Sequence, residues 1–154
     1  MTITVGINGF GRIGRATLAH ISESLRNDIK VVKVNATGPI ETAAHLMRYD
    51  SVHGRFAHPI TVEGNTMDLG RGPIEMYSTY DMTALDWEGV DVVMECTGKF
   101  NDGLTAKTHL ERGARKVLLS APGKNVDRTV VYGVNHETLQ ADERMISNGS
   151  CTTN

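Results

Sequence analysis

The chain is poor in several things that would each point to a different kind of protein. Two cysteines, Cys96 and Cys151, among 154 residues are too few for a disulfide framework. Neither sign of charge dominates: 16 Lys and Arg against 18 Asp and Glu leave a formal net charge of −2. No Lys/Arg cluster stands out, so nothing invites nucleic acid or an anionic membrane surface. Apolar runs last only a few residues, far short of a membrane span. The stretch Met1 to Val5 has no basic segment leading into an apolar run and does not read as a signal peptide, so a soluble cytoplasmic protein is expected. No set of His, Cys, Asp and Glu has the spacing of metal ligands. What is present is ordinary for a globular fold: 40% hydrophobic and 22% charged residues, in a length that suits one domain with a real core.

Short apolar runs alternate with helix-like segments, the pattern of βαβ units and a mainly parallel sheet. Ile3 to Ile7 reads as a strand and Arg12 to about Leu25 as a helix, with Ile13, Thr17, Ile21 and Leu25 recurring every fourth residue. Ile29 to Val34 is a second strand, and Ile40 to Tyr49 a short helix after the Gly38-Pro39 break. From Ser51 to about Tyr80 glycines punctuate short pieces, read as a small antiparallel insertion. Strands return at Val90 to Cys96, Lys116 to Leu119, Thr129 to Tyr132 and Met145 to Ser147, with a helix over Asp102 to Arg112 stopped by Gly113. The expected fold is α/β, a Rossmann-type doubly wound sheet forming one dinucleotide-binding domain over residues 1–154.

Gly9-Phe10-Gly11-Arg12-Ile13-Gly14 fits G-x-G-x-x-G. The chemistry needs glycine at Gly9 for a tight turn, at Gly11 for backbone approach to a pyrophosphate, and at Gly14 for close helix–strand packing. A bland glycine-rich turn competes with this reading, but the motif follows an apolar strand and opens an amphipathic helix, the context it requires. At the end of the second strand, where such folds carry an acid for the adenosine ribose, the residues are Val34-Asn35-Ala36-Thr37. With Ala36 the repulsion of a 2′-phosphate is gone, and Thr37 and Lys33 are candidate donors to one. The site is therefore expected to tolerate NADP beside NAD, although Ala36 can equally do no more than weaken NAD.

Ser147-Asn148-Gly149-Ser150-Cys151-Thr152 places a cysteine just after a strand and a turn, at an expected helix start that would favour the thiolate. An inert, half-buried thiol is the other reading of that spacing. Cys96, ending an apolar strand, reads as a small core or near-core residue.

Taken together, Asn8 to Arg15 and Ser150-Cys151-Thr152-Thr153-Asn154 resemble the glyceraldehyde-3-phosphate dehydrogenase family. Tyr49 to Phe56, Glu95-Cys96-Thr97-Gly98, Leu119-Ser120-Ala121-Pro122 and Tyr132-Gly133-Val134-Asn135 lie between them in the family's order. The resemblance runs through the whole chain but covers only the first half of the family's sequence, so a C-terminal substrate domain is expected to be absent here. It implies cofactor roles for Asn8, Gly9, Phe10, Gly11, Arg12 and Ile13 at the pyrophosphate, and for Thr97, Gly98, Phe100 and Ser120 on the nicotinamide side. Asn35, Ala36, Thr37 and Tyr80 fall at the adenosine end. Ser150, Cys151 and Thr152 match the substrate-binding stretch, with Cys151 as nucleophile. Two departures bear on cofactor choice: Ala36 replaces the family's aspartate, and Tyr80 replaces an arginine near the adenine.

The resemblance implies oxidation of an aldehyde phosphate through a thioester on cysteine, cleaved by inorganic phosphate to an acyl phosphate, in a homo-oligomer that is tetrameric when full length. The activating histidine of the family would lie beyond Asn154, so the 154-residue chain is expected to be inactive alone. Two rivals stand beside this reading. One is the related erythrose-4-phosphate dehydrogenase; the other, of a different class, is a non-catalytic nucleotide-binding module.

Overall fold

The computed structural model of the chain describes residues 1–153. Strand β1 (Ile3–Asn8) leads into helix α1 (Arg12–Glu23), and β2 (Ile29–Asn35) into α2 (Ile40–Arg48). A two-stranded hairpin, β3 (Tyr49–Asp50) and β4 (Gly54–Arg55), stands apart from the main sheet. Then come β5 (Thr61–Glu63), β6 (Thr66–Asp68) and β7 (Pro73–Tyr77). The second half carries β8 (Val92–Glu95), α3 (Gly103–Ala106), α4 (Thr108–Glu111), β9 (Lys116–Leu119), β10 (Arg128–Thr129) and β11 (Met145–Ser147).

The main sheet runs β10-β11-β9-β8-β1-β2-β7-β6-β5. Neighbours from β10 across to β7 are parallel, and β6 and β5 continue antiparallel. The stretch β7-β2-β1-β8-β9-β11 has the order of a doubly wound dinucleotide fold, so the expected class is the one observed. Antiparallel pairing in the 51–80 segment is also present. Its last piece, β7, however, joins the parallel sheet beside β2 and supplies its third strand.

The core forms where both faces of β1 and β2 are covered. Val5, Ile7, Val31 and Val34 pack with Leu18 of α1 and with Ala43, Ala44 and Met47 of α2. A second cluster centres on the fully buried Trp87 with Leu85, Val90 and Val93. Trp87 lies so close over β1 that a Cβ on Gly6 would stand 2.6 Å from its ring, so a side chain there would displace the indole.

Several local expectations need correction. The buried line of α1 is Gly14, Leu18 and Ser22, whereas Ile13 and Leu25 are exposed. The same four-residue period holds, but it starts one residue later, because Gly14 is the position that closes against β1. The helix expected over Asp102 to Arg112 breaks into α3 and α4 at Lys107. Asp102 does cap its start, accepting from the Leu104 N–H at 2.9 Å, and Gly113 ends the segment at φ +108. The strand expected over Thr129 to Tyr132 is shorter and earlier, Arg128–Thr129, because β11 has only a short edge to pair with. Among the described residues no helix is long and apolar enough to cross a membrane.

Candidate functional site

Strand register brings the site together. Asn8 pairs with Asn35 on one side and with Glu95 on the other, so three polar residues stand in a row at the carboxyl ends of β2, β1 and β8. This is the point where the winding of the sheet reverses, the usual crevice for a ligand in such folds. Gly9 turns the chain out of the sheet at φ +98, and a Cβ there would lie 2.7 Å from the Thr97 N. Gly14 meets the carbonyl oxygen of Gly9, which would be 2.1 Å from an added Cβ, so α1 starts as close to β1 as backbone allows. Gly11 precedes the helix, has open space where a side chain would stand, and offers no side-chain cap. The first N–H groups of α1 have no intrahelical acceptor by geometry, and such donors bind anionic oxygens well.

Around this loop lies a cleft of about 420 Å³, in the range of small-molecule sites. Asn8, Gly9, Phe10, Gly11, Asn35, Ala36, Thr37, Tyr80, Thr97 and Phe100 line it, and all were singled out in the sequence. Lys99, Thr42, Leu46, Met82 and Cys96 line it as well. Lys99 carries the missed positive charge, with Nζ 5.8 Å from the centre of the exposed Tyr80 ring, a cation–π geometry. A lone lysine after Gly98 belongs to no motif, so only the fold reveals it. Thr42 and Leu46 come from α2, whose approach to the cleft follows from the turn at Gly38-Pro39.

Other expected residues lie outside the lining. The Arg12 guanidinium forms an ion pair with Asp50, and Ile13 is exposed. The Asp50 carboxylate also accepts from the His53 and Val52 N–H groups, at 2.8 Å each. Those bonds, the His53 one first and the Arg12 contact next, hold its pKa far below the usual carboxylate range. Gly98 makes a turn at φ +71, and the Ser120 hydroxyl near the Cys96 thiol pulls its pKa down against the larger effect of burial. Lys33, a candidate donor to a 2′-phosphate, is committed elsewhere: its Nζ lies 3.0 Å from the Asp86 carbonyl and 3.2 Å from its carboxylate. Strand alternation turns that side chain away from Ala36, so Thr37 remains of the pair.

The cysteine end is built differently. Gly149 has φ +79, and the Ser150 hydroxyl accepts from the Thr152 and Thr153 N–H groups at 3.1 and 2.9 Å, as a helix N-cap does. Among the described residues no helix follows it, and Asn154 of the motif lies outside them, so the helix start expected at Cys151 is not on view. Cys151 is exposed, with Sγ 3.3 Å from Thr152 Oγ1, and among the described residues no histidine is hydrogen-bonded to it. Ser150, Cys151 and Thr152 are not part of the cleft lining. The Cys96 thiol is the opposite case: burial pushes its pKa up to about 11. Among the described residues no group of His, Cys, Asp and Glu is arranged to hold a metal ion.

Residues 3–103 match the family described as glyceraldehyde 3-phosphate dehydrogenase, NAD binding domain. Over its whole length the chain is 55% identical to a glyceraldehyde-3-phosphate dehydrogenase of Cereibacter sphaeroides, of which it covers 46%. It is 53% identical to one of Xanthobacter flavus and 50% identical to a chromosomal one of Cupriavidus necator, again over all of this chain and 47% of each relative. The chain spans about half the length of these curated relatives.

Proposed function

The chain belongs to the glyceraldehyde-3-phosphate dehydrogenase family through its NAD binding domain, and on that premise we propose that the cleft at the ends of β1, β2 and β8 binds NAD or NADP. The observation that carries this is the loop itself. Gly9 and Gly14 leave no room for side chains, while Gly11 leaves open space beside the unsatisfied N–H groups of α1. A pyrophosphate fits that cradle. Asn8 to Ile13 would hold it, Arg12 and Ile13 through their backbone N–H groups, since the Arg12 side chain is engaged by Asp50. Ala36, Thr37 and Tyr80 would take the adenosine end, and Thr97, Gly98, Phe100 and Ser120 the nicotinamide side. Ala36, uncharged and buried at the cleft wall, is compatible with a ribose carrying a 2′-phosphate.

In the proposed reaction of the longer protein, the Cys151 thiolate adds to the carbonyl carbon of an aldehyde phosphate, giving a hemithioacetal. When bound, the nicotinamide supplies the acceptor for the hydride that leaves that carbon. The product is a thioester on Sγ, and sulfur suits this because it attacks readily when ionised and departs readily from an acyl group. Inorganic phosphate then attacks the acyl carbon, releasing an acyl phosphate and restoring the thiolate. A general base is needed for this cycle, and none is hydrogen-bonded to Cys151 among the described residues. On this reading residues 1–154 form a binding domain that does not turn over alone, and a substrate domain elsewhere in a homo-oligomeric enzyme completes the site. Calorimetric titration with NAD and with NADP tests the binding: saturable binding of either, weakened by Gly11→Val, is expected. No binding of either dinucleotide would overturn the proposal.

A further inference from the structure

From the lining residues Asn8, Asn35 and Thr97 a continuous row of polar side chains runs into the interior. The Trp87 indole N–H donates to His109 Nδ1 at 2.9 Å, which leaves the imidazole proton on Nε2. That nitrogen lies 2.9 Å from Glu95 Oε2 and donates to it. Asn8 Nδ2 donates to the same oxygen at 2.6 Å. The other oxygen, Oε1, accepts from the Thr97 N–H at 2.8 Å and from the Thr97 hydroxyl. On the far side, Asn35 Nδ2 donates to Asn8 Oδ1 at 2.8 Å and to the Thr79 carbonyl at 3.0 Å, while Asn35 Oδ1 accepts from the Thr79 N–H at 3.1 Å. Glu95, His109 and Trp87 are fully buried, and Asn8 and Asn35 nearly so.

The direction of every bond in this row is fixed from outside it. At one end stands an indole, which can only donate. At the other, both backbone groups of Thr79 clasp the Asn35 amide, so turning that amide over would set donor against donor and acceptor against acceptor. Asn8 must then present its oxygen to Asn35 and its NH₂ to Glu95. Donors therefore arrive at residue 95 from both sides, and only a side chain that accepts throughout can receive them all. A carboxylate does so; the isosteric amide does not.

We infer that Glu95 is a positioning residue for the dinucleotide cleft. Its carboxylate sets Asn8, and through it Asn35, on the wall toward the adenosine end, and sets Thr97 on the opposite wall. The inference rests on the reading that this cleft binds the dinucleotide. Glutamine at position 95 has the same shape, yet its NH₂ must face either Thr97 or the Asn8 and His109 donors. Whichever it faces, one wall moves to relieve an unsatisfied buried donor.

The test is a cycle in the chain with Glu95→Gln, Asn8→Asp and both together, read by NAD calorimetry and by emission of Trp87, the one tryptophan of the sequence. Glu95→Gln is expected to weaken NAD by about tenfold, the scale of one buried donor left without an acceptor. Its Trp87 emission should stay unshifted, because two donors on the Asn8 and His109 side turn the amide NH₂ toward Thr97. The double variant restores an acceptor opposite the residue 95 amide, so it should bind NAD more tightly than either single variant. Its Trp87 emission should shift without cofactor present, because the amide NH₂, drawn to the new acceptor at residue 8, now meets His109. If Glu95→Gln fails to fold, Asn8→Asp against the double variant carries the same comparison. A folded Glu95→Gln with unchanged NAD affinity, or a double variant no better than the singles, overturns the inference. Failure of the wild-type chain to bind NAD instead counts against the binding proposal, and the cofactor-free Trp87 shift of the double variant separates the two.

Discussion

Gly9 and Cys151 both sit just beyond parallel strands at the same end of the sheet, yet their surroundings share little. Around Gly9 the backbone is locked: a left-handed turn, carbonyl and amide neighbours at Cβ distance, and a helix pressed onto it through Gly14. Beneath it every polar side chain from Trp87 to Asn35 is partnered. Cys151 is exposed, and its neighbours are held by short-range bonds such as those of Ser150 and Thr152. Binding a pyrophosphate asks for rigid backbone that one sheet can supply. The nucleophile's role proposed for Cys151 also needs a base, and among the described residues none is hydrogen-bonded to it.

The sharpest way to break that contrast is at the glycines. Gly14→Ala puts a methyl against the Gly9 carbonyl and should cost about 3 kcal/mol of stability by forced overpacking, measured by chemical denaturation. Gly11→Ala enters open space and should change stability by under about 1 kcal/mol, while still weakening NAD in a calorimetric titration. Equal destabilisation by both would mean the loop is not held as described.

Next in size are the two thiols. Raising the Cys96 pKa from 9.0 to about 11 lowers its thiolate fraction at neutral pH about a hundredfold. Alkylation of the folded chain near pH 8 should therefore modify Cys151 alone, and mass spectrometry of Cys151→Ser should show almost no label. The sign for stability follows from the same shift. A folded pKa above the unfolded one favours the neutral thiol, so its contribution is complete below about 9 and is lost as pH rises through about 11. Cys96→Ala should flatten that alkaline limb of the denaturation profile.

A smaller effect is expected at the adenosine end. On the proposed binding mode Ala36→Asp sets an acid toward the ribose and should shift the NAD-to-NADP affinity ratio toward NAD by about tenfold. An unchanged ratio would show that residue 36 does not meet the ribose. Smallest is Asp102→Ala, which removes the cap on α3 and should cost about 1 kcal/mol, with no change in NAD affinity because Asp102 lies outside the cleft.

Much of this was legible in the residues. Short apolar runs, helix-like segments between them and the glycines that cut them placed β1, α1, β2, α2, β8 and β9 close to their observed limits. G-x-G-x-x-G announced the turn because Gly9 takes φ +98 and Gly14 closes on the Gly9 carbonyl, both within the motif itself. What could not be read depends on packing between segments far apart in sequence. Lys33 is drawn to Asp86, Arg12 to Asp50, and Lys99 over Tyr80, and none of those pairings leaves a local pattern. His109 belongs to no motif, and only the fold shows it joining Trp87 to Glu95. The 51–80 segment was legible as antiparallel, but the parallel seat of β7 beside β2 is a choice of topology that spacing does not encode.

The most direct measurement is a backbone NMR titration of the chain with NAD, following every amide. The account predicts that the largest shifts fall on Gly9, Gly11, Ile13, Ala36 and Thr97, with little change around Arg55 and His58. Shifts concentrated instead in the second, polar pocket between α1 and the β3–β4 hairpin, at Arg15, His20 and Arg55, would place the dinucleotide elsewhere and contradict the central claim.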